Sequence, residues 1–152
     1  MLSTTKSISS VLNALIGICK DGQNGFRIAS DDVHHLPLKS LFFEFSSQRA
    51  RFVSELESLV VGLGEEADEE GSLAGVLHRA WIDLKSALSS GNEKAVIAEC
   101  IRGEETALAE YEDALQHEDL PQHIRLVITQ QAGEIQQALK NLRNLHHDII
   151  AI

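Results

Sequence analysis

Four stretches of this chain carry apolar residues at steps of three and four, and that spacing leaves little freedom for the fold. The first stretch holds Leu12, Leu15, Ile16, Cys19, Phe26, Ala29 and Val33. The second holds Leu38, Leu41, Phe42, Phe45, Phe52, Leu56, Leu59 and Leu63. The third holds Val96, Ile97, Cys100, Ala107, Leu108, Tyr111 and Leu115, and the fourth Ile124, Val127, Ile128, Ile135, Leu139, Leu142 and Leu145. Such steps place side chains on one face of an α-helix, whereas a strand alternates every second residue. Proline occurs only at Pro37 and Pro121, and there are no Val/Ile/Thr runs, which also favours helix.

Local signals bound the helices. Ser9 or Ser10 is the expected cap of helix one, and His34-His35-Leu36-Pro37 breaks it. Pro37 suits the first turn of helix two, which Gly62 and Gly64 end. Ser72 is the expected cap of a short helix with Leu73, Val76, Leu77, Ala80, Trp81, Leu84 and Leu88 inward. Ser89-Ser90-Gly91-Asn92 interrupts it, and Asn92 caps helix three. Helix three is expected to end between His117 and Leu120, with Pro121 opening helix four. The apolar tail Ile149-Ile150-Ala151-Ile152 is free to dock on the core or on another subunit.

The expected fold is all-α: one domain over residues 1–152, a four-helix bundle with a short extra helix between helices two and three. A helix of roughly 26 residues is about 39 Å long. The connection between Gly64 and Gly91 is long enough to run back along it, which makes helices two and three parallel, as in ferritin-like bundles with one crossover. The other reading makes residues 72–115 one long bent helix in an up-down-up-down bundle.

Charge narrows the partners. Thirteen basic residues stand against 23 acidic ones, a net charge of −10, so a phosphate backbone is a poor partner. The acidic run from Glu65 to Glu70 lacks the spaced ligands and turn glycine of a calcium loop and reads as solvated. No segment has the length to span a membrane, and residues 1–10 lack the apolar region of a secretory signal. A cytoplasmic protein with reduced thiols is expected.

The two halves of the chain resemble each other. Cys19-Lys20-Asp21-Gly22-Gln23 reads against Cys100-Ile101-Arg102-Gly103-Glu104, Pro37 against Pro121, and Ser47-Gln48 against Gln130-Gln131. The repeat implies a polar layer at mid-bundle made of Gln23, Gln48, Glu104 and Gln131, with Gln48 or Arg49 filling the gap between Phe45 and Phe52. Buried polar groups cost several kcal/mol unless hydrogen-bonded, so these should bond to one another, to water or to an ion.

The stretches Leu15-Ile16-Gly17-Ile18-Cys19-Lys20-Asp21-Gly22, Gln48-Arg49-Ala50-Arg51-Phe52 and Ala98-Glu99-Cys100-Ile101-Arg102-Gly103-Glu104-Glu105 resemble an uncharacterised bacterial family of ferritin-like four-helix-bundle proteins, a domain of unknown function. The resemblance spans roughly residues 8 to 147. It implies a ferritin-like bundle in a bacterial cytoplasm and no established activity.

Dinuclear bundles take a Glu from each of two helices and Glu-x-x-His from each of the other two. Glu104 sits at a suitable depth, but Glu44-Phe45-Ser46-Ser47 and Glu134-Ile135-Gln136-Gln137 lack the histidine, and Gln23 is a poor ligand. His34, His35, His117 and His123 fall at helix ends, His78 on the short helix, and His146 and His147 near the C-terminus. A structural polar layer without cofactor is therefore expected over a di-metal centre. Cys19 and Cys100 read as core residues that face each other across helices one and three, with Trp81 and Tyr111 as packing residues. No nucleophile elbow, phosphate loop or dinucleotide motif is present.

The expected function is that of a non-enzymatic helical bundle acting through its surface or as a homo-oligomer such as a dimer, with a stress-related role by analogy to the bundle class alone. The competing reading is a metal or redox protein using Glu44, Glu104 and Glu134, with Cys19 and Cys100 as thiols.

Overall fold

The computed structural model describes residues 2–67 and 83–151, and side chains within residues 4–67 and 83–148. The described residues contain helix and no strand. Helix α1 spans Leu2–Asp32, α2 Leu36–Gly62, α3 Glu93–Leu115 and α4 Gln122–Ala151, and residues 83–90 are also helical. The expectations for Ser72 to Trp81, for His78, for residues 68–70 of the acidic run and for the tail side chains lie outside the described residues.

Each long helix buries a strict heptad. In α1 it runs Leu12, Leu15, Cys19, Gly22, Phe26, Ala29, and continues to Val33 just past the helix, all buried except the half-buried Gly22. In α2 it runs Leu38, Phe42, Phe45, Arg49, Phe52, Leu56; in α3 Ile97, Cys100, Glu104, Ala107, Tyr111, Ala114; in α4 Ile124, Ile128, Gln131, Ile135, Ala138, Leu142. Alternating steps of three and four keep a seam on one side of a helix that crosses its neighbours at a shallow angle.

Helix α1 packs on α2 and α3, and α4 packs on α3 and α2, so α2 and α3 face each other across a diagonal. One core cluster joins Phe52, Leu56 and Val60 to Ala107, Tyr111 and Ala114. A second joins Leu38, Phe42 and Phe45 to Val96, Ile97 and Cys100. The two N-terminal halves thus lie together, as do the two C-terminal halves, so α2 and α3 are parallel. The chain leaves α2 at one end of the core and enters α3 at the other. This topology is the crossover arrangement, and the up-down-up-down reading is overturned.

Helix ends follow local chemistry. Asn92 accepts from the Ala95 amide at 3.2 Å and caps α3. Gly64 takes φ +78° just past α2, a left-handed position that suits glycine. Lys39 Nζ donates to the carbonyls of Ser30 at 2.6 Å and Asp31 at 3.3 Å, closing the end of α1. Two boundaries differ from expectation. Helix α1 starts at Leu2, not Ser9 or Ser10, because Ile8 joins the core and carries the helix back past both serines. Helix α3 ends at Leu115, where the Arg125 guanidinium donates to the carbonyls of Leu115 at 2.8 Å and His117 at 2.6 Å.

Gly22 and Gly103 hold equivalent places in the half-repeat but not in space. A Cβ on Gly22 would lie 3.3 Å from Arg49 Nη1, whereas one on Gly103 would meet nothing within 4 Å. Alanine in a helix interior stabilises by roughly 0.5–1 kcal/mol over glycine. Gly103→Ala is expected to gain that amount in urea unfolding, while Gly22→Ala lowers the midpoint, because Arg49 is held from several sides and has no room to yield.

Candidate functional site

The centre of the molecule is polar in spite of its apolar surroundings. Arg49 reaches from α2 across the diagonal to Glu104 on α3 and donates from both terminal nitrogens, Nη1 to Oε1 at 2.7 Å and Nη2 to Oε2. Arg49 is 1% exposed and Glu104 2%. The guanidinium carbon lies 5.5 Å from the centre of the Phe26 ring and 5.8 Å from that of Phe52, so aromatic faces on α1 and α2 flank the cation. Phe26 also stacks on Phe42 and meets Phe45 edge-on. Burial works against the charge of Arg49, but the adjacent Glu104 carboxylate more than offsets it and holds the guanidinium above its ordinary pKa. The pair separates the two apolar clusters.

A second polar chain begins beside it. The Tyr111 hydroxyl donates to Gln131 Oε1 at 2.7 Å, so its single proton is committed and the Cys19 thiol donates to Tyr111 Oη at 3.1 Å. Gln131 Nε2 donates to Glu55 Oε1 at 3.0 Å, near the surface. The run Cys19–Tyr111–Gln131–Glu55 therefore links a buried thiol on α1 to an exposed carboxylate on α2 through side chains of α3 and α4.

Burial holds the thiols and the phenol of this site in their neutral forms. Burial pushes the Cys19 thiol up to about 11, with Arg49 and Tyr111 only partly opposing it. Burial raises the Cys100 thiol too, reinforced by the carboxylates of Glu104 and Glu99. Tyr111 is likewise raised by burial and by Cys19. A thiol that stays protonated at neutral pH is a weak nucleophile and a weak metal ligand.

Of the expected polar layer, Glu104 and Gln131 are buried in the core. Gln23 and Gln48 are only half-buried, one residue off the heptads of α1 and α2, and the inward place on α2 belongs to Arg49. Gln48 Oε1 and Arg49 Nε are each buried without a hydrogen-bond partner among the described residues. Glu44 is exposed, and Glu134 is bound to Arg51 at 2.6 Å, so neither joins Glu104. No three His, Cys, Asp or Glu residues converge as metal ligands among the described residues. Cys19 and Cys100 do not face each other: Cys19 is level with Tyr111, about 16 Å along α3 from Cys100 at 1.5 Å per residue. The signal that separates Arg49 from Gln48 was present in the sequence, because the alternation 42, 45, 49, 52, 56 continues through Arg49. Its partner Glu104 stands in the same phase on α3, in 97, 100, 104, 107, 111.

Removing one member of a buried pair strands the other. Arg49→Ala and Glu104→Ala are each expected to cost about 3–5 kcal/mol in urea unfolding, while the double variant Arg49→Met/Glu104→Leu costs far less than their sum. The thiols give a second check. In native protein at pH 8, Ellman's reagent should titrate neither Cys19 nor Cys100, and both once the chain is unfolded.

Comparison with curated protein sequences gives no match. A family model described as a domain of unknown function, DUF2383, matches residues 7–117. That stretch includes most of α1 and all of α2 and α3, with Cys19, Arg49, Glu104 and Tyr111, but stops short of Gln131. A match over most of the chain shows that the protein belongs to the DUF2383 family.

Proposed function

We propose that this chain is a ferritin-like four-helix bundle whose centre is occupied by a fixed ion pair, and that it acts through its surface and as an assembly rather than by catalysis. The observation that carries this reading is the Arg49–Glu104 pair. In a dinuclear carboxylate bundle the inward glutamates hold cations. Here both oxygens of the buried carboxylate accept from a guanidinium, and the cation is part of the protein. A metal ion would have to displace Arg49 and leave an unpaired charge in an apolar core, at a cost of several kcal/mol. The donor set does not fit a di-metal centre. The raised thiols and tyrosine also speak against a nucleophile or redox pair at the same place.

Protein purified without chelator is expected to carry iron, manganese and zinc at well below one ion per chain, and to melt at the same temperature with or without added metal. Stoichiometric metal that is lost in Glu104→Ala would overturn the reading and favour a metal protein.

A further inference from the structure

The outer side of α2 carries a second heptad, opposite the one that faces the core. It runs Leu36, Ser40, Phe43, Ser47, Ala50, Ser54, Glu57, Val61, and Glu57 is its one charged residue in a chain of net charge −10. Leu36, Phe43 and Val61 are 73%, 64% and 67% exposed and lie on one line of the helix. The line is apolar toward its ends, at Leu36, Phe43 and Val61, and small between them, at Ser47, Ala50 and Ser54, which leaves room for a second helix to approach. Toward the C-terminal half of α2 this face is hollowed into a shallow groove lined by Ala50, Val53, Ser54, Glu57 and Val61, with Gln23 of α1 at its edge.

The knob and the groove lie on one helix, and charge lies beside each. Ser46 Oγ donates to the Gln23 carbonyl and Ser30 Oγ to the Lys39 carbonyl, which sets the antiparallel register of α1 and α2. In that register the exposed Arg27 on α1 is level with Phe43, while Glu57 lines the groove. Neither has an ion-pair partner among the described residues.

We propose that two copies of this chain pair through this face, antiparallel about a two-fold axis between Ser47 and Ala50. Each Phe43 then enters the groove of the other copy, Leu36 of one chain lies against Val61 of the other, and Arg27 of one meets Glu57 of the other. A two-fold interface must be self-complementary, and here the apolar and the charged matches fall at one register. The small residues Ser47 and Ala50 lie at its middle and let the two helices approach closely, and Ser54 leaves room for the Phe43 of the other copy. The line on α2 is about 40 Å long and one helix wide, about 10 Å, so it covers roughly 400 Å² on each copy before Gln23 and Arg27 of α1 are added, the size of a weak, reversible interface. This inference gives the assembly in the preceding reading its surface. The two fail separately, since metal content reports on the core and mass on the outer face.

Light scattering on the full chain is expected to give about twice its 16.7 kDa. Phe43→Asp and Arg27→Glu, both exposed positions, should each weaken association at least tenfold without lowering the melting temperature of the monomer, and adding Glu57→Arg to Arg27→Glu should restore the two-chain mass. A single-chain mass for the unaltered protein at all concentrations overturns the proposal, whether the face is covered by another part of the chain or left for a different partner. A two-chain mass that survives both single substitutions overturns it as well. Failure of the charge exchange to restore the dimer removes the Arg27–Glu57 pairing and the register built on it.

Discussion

A guanidinium and a carboxylate, both withdrawn from water and joined by two hydrogen bonds that leave Arg49 Nε buried without a partner among the described residues, set the terms for the rest of this molecule. Taking two charges into an apolar core costs several kcal/mol each unless the geometry is good. The cost is met by two parallel hydrogen bonds and by aromatic rings at the cation's faces. Because α2 and α3 lie diagonally, the long arginine side chain is what lets the pair close. It fixes α2 against α3 without direct backbone packing between them. The same requirement explains Gly22, whose missing side chain leaves room for Arg49.

The pair also limits the chemistry open to the core. Glu104 is the sole carboxylate among the buried polar residues described, and its acceptor oxygens are already in use. The neighbouring Cys19, Tyr111 and Gln131 form a satisfied chain in which the tyrosine proton is committed and the thiol is held in its neutral form. Polar networks of this kind specify one packing arrangement when complete.

The half-repeat has a physical outcome that differs between its halves. Cys19 and Cys100 both sit on core heptads, as do Gly22 and Glu104, but Gly22 and Gly103 meet different surroundings. Gln131 is sealed within the core, whereas its counterpart Gln48 lies at the edge of α2 with a buried oxygen that lacks a partner. The arginine accounts for the difference. With Arg49 in the heptad of α2, the centre is filled from one side, and a symmetric layer of glutamines has no room to form.

The sequence by itself determined the all-helical character, the inner faces of the four long helices, the Asn92 and Gly64 boundaries and the burial of both cysteines. Each depends on the spacing of apolar residues or on a backbone preference within a few positions. The heptad phase carries Arg49 and Glu104 inward, although the expected layer held Gln48 in that place, and no local rule says that a buried arginine has found a carboxylate 55 residues away. Only the tertiary structure decided that pairing, because it required α2 and α3 to run parallel on a diagonal. It also decided the parallel order itself, the separation of Cys19 from Cys100, and the placement of Glu44 and Glu134 away from the core. The physical reason is common to all of these: helix–helix register is set by the sum of many weak side-chain contacts between distant segments, and no single stretch of the chain contains that sum.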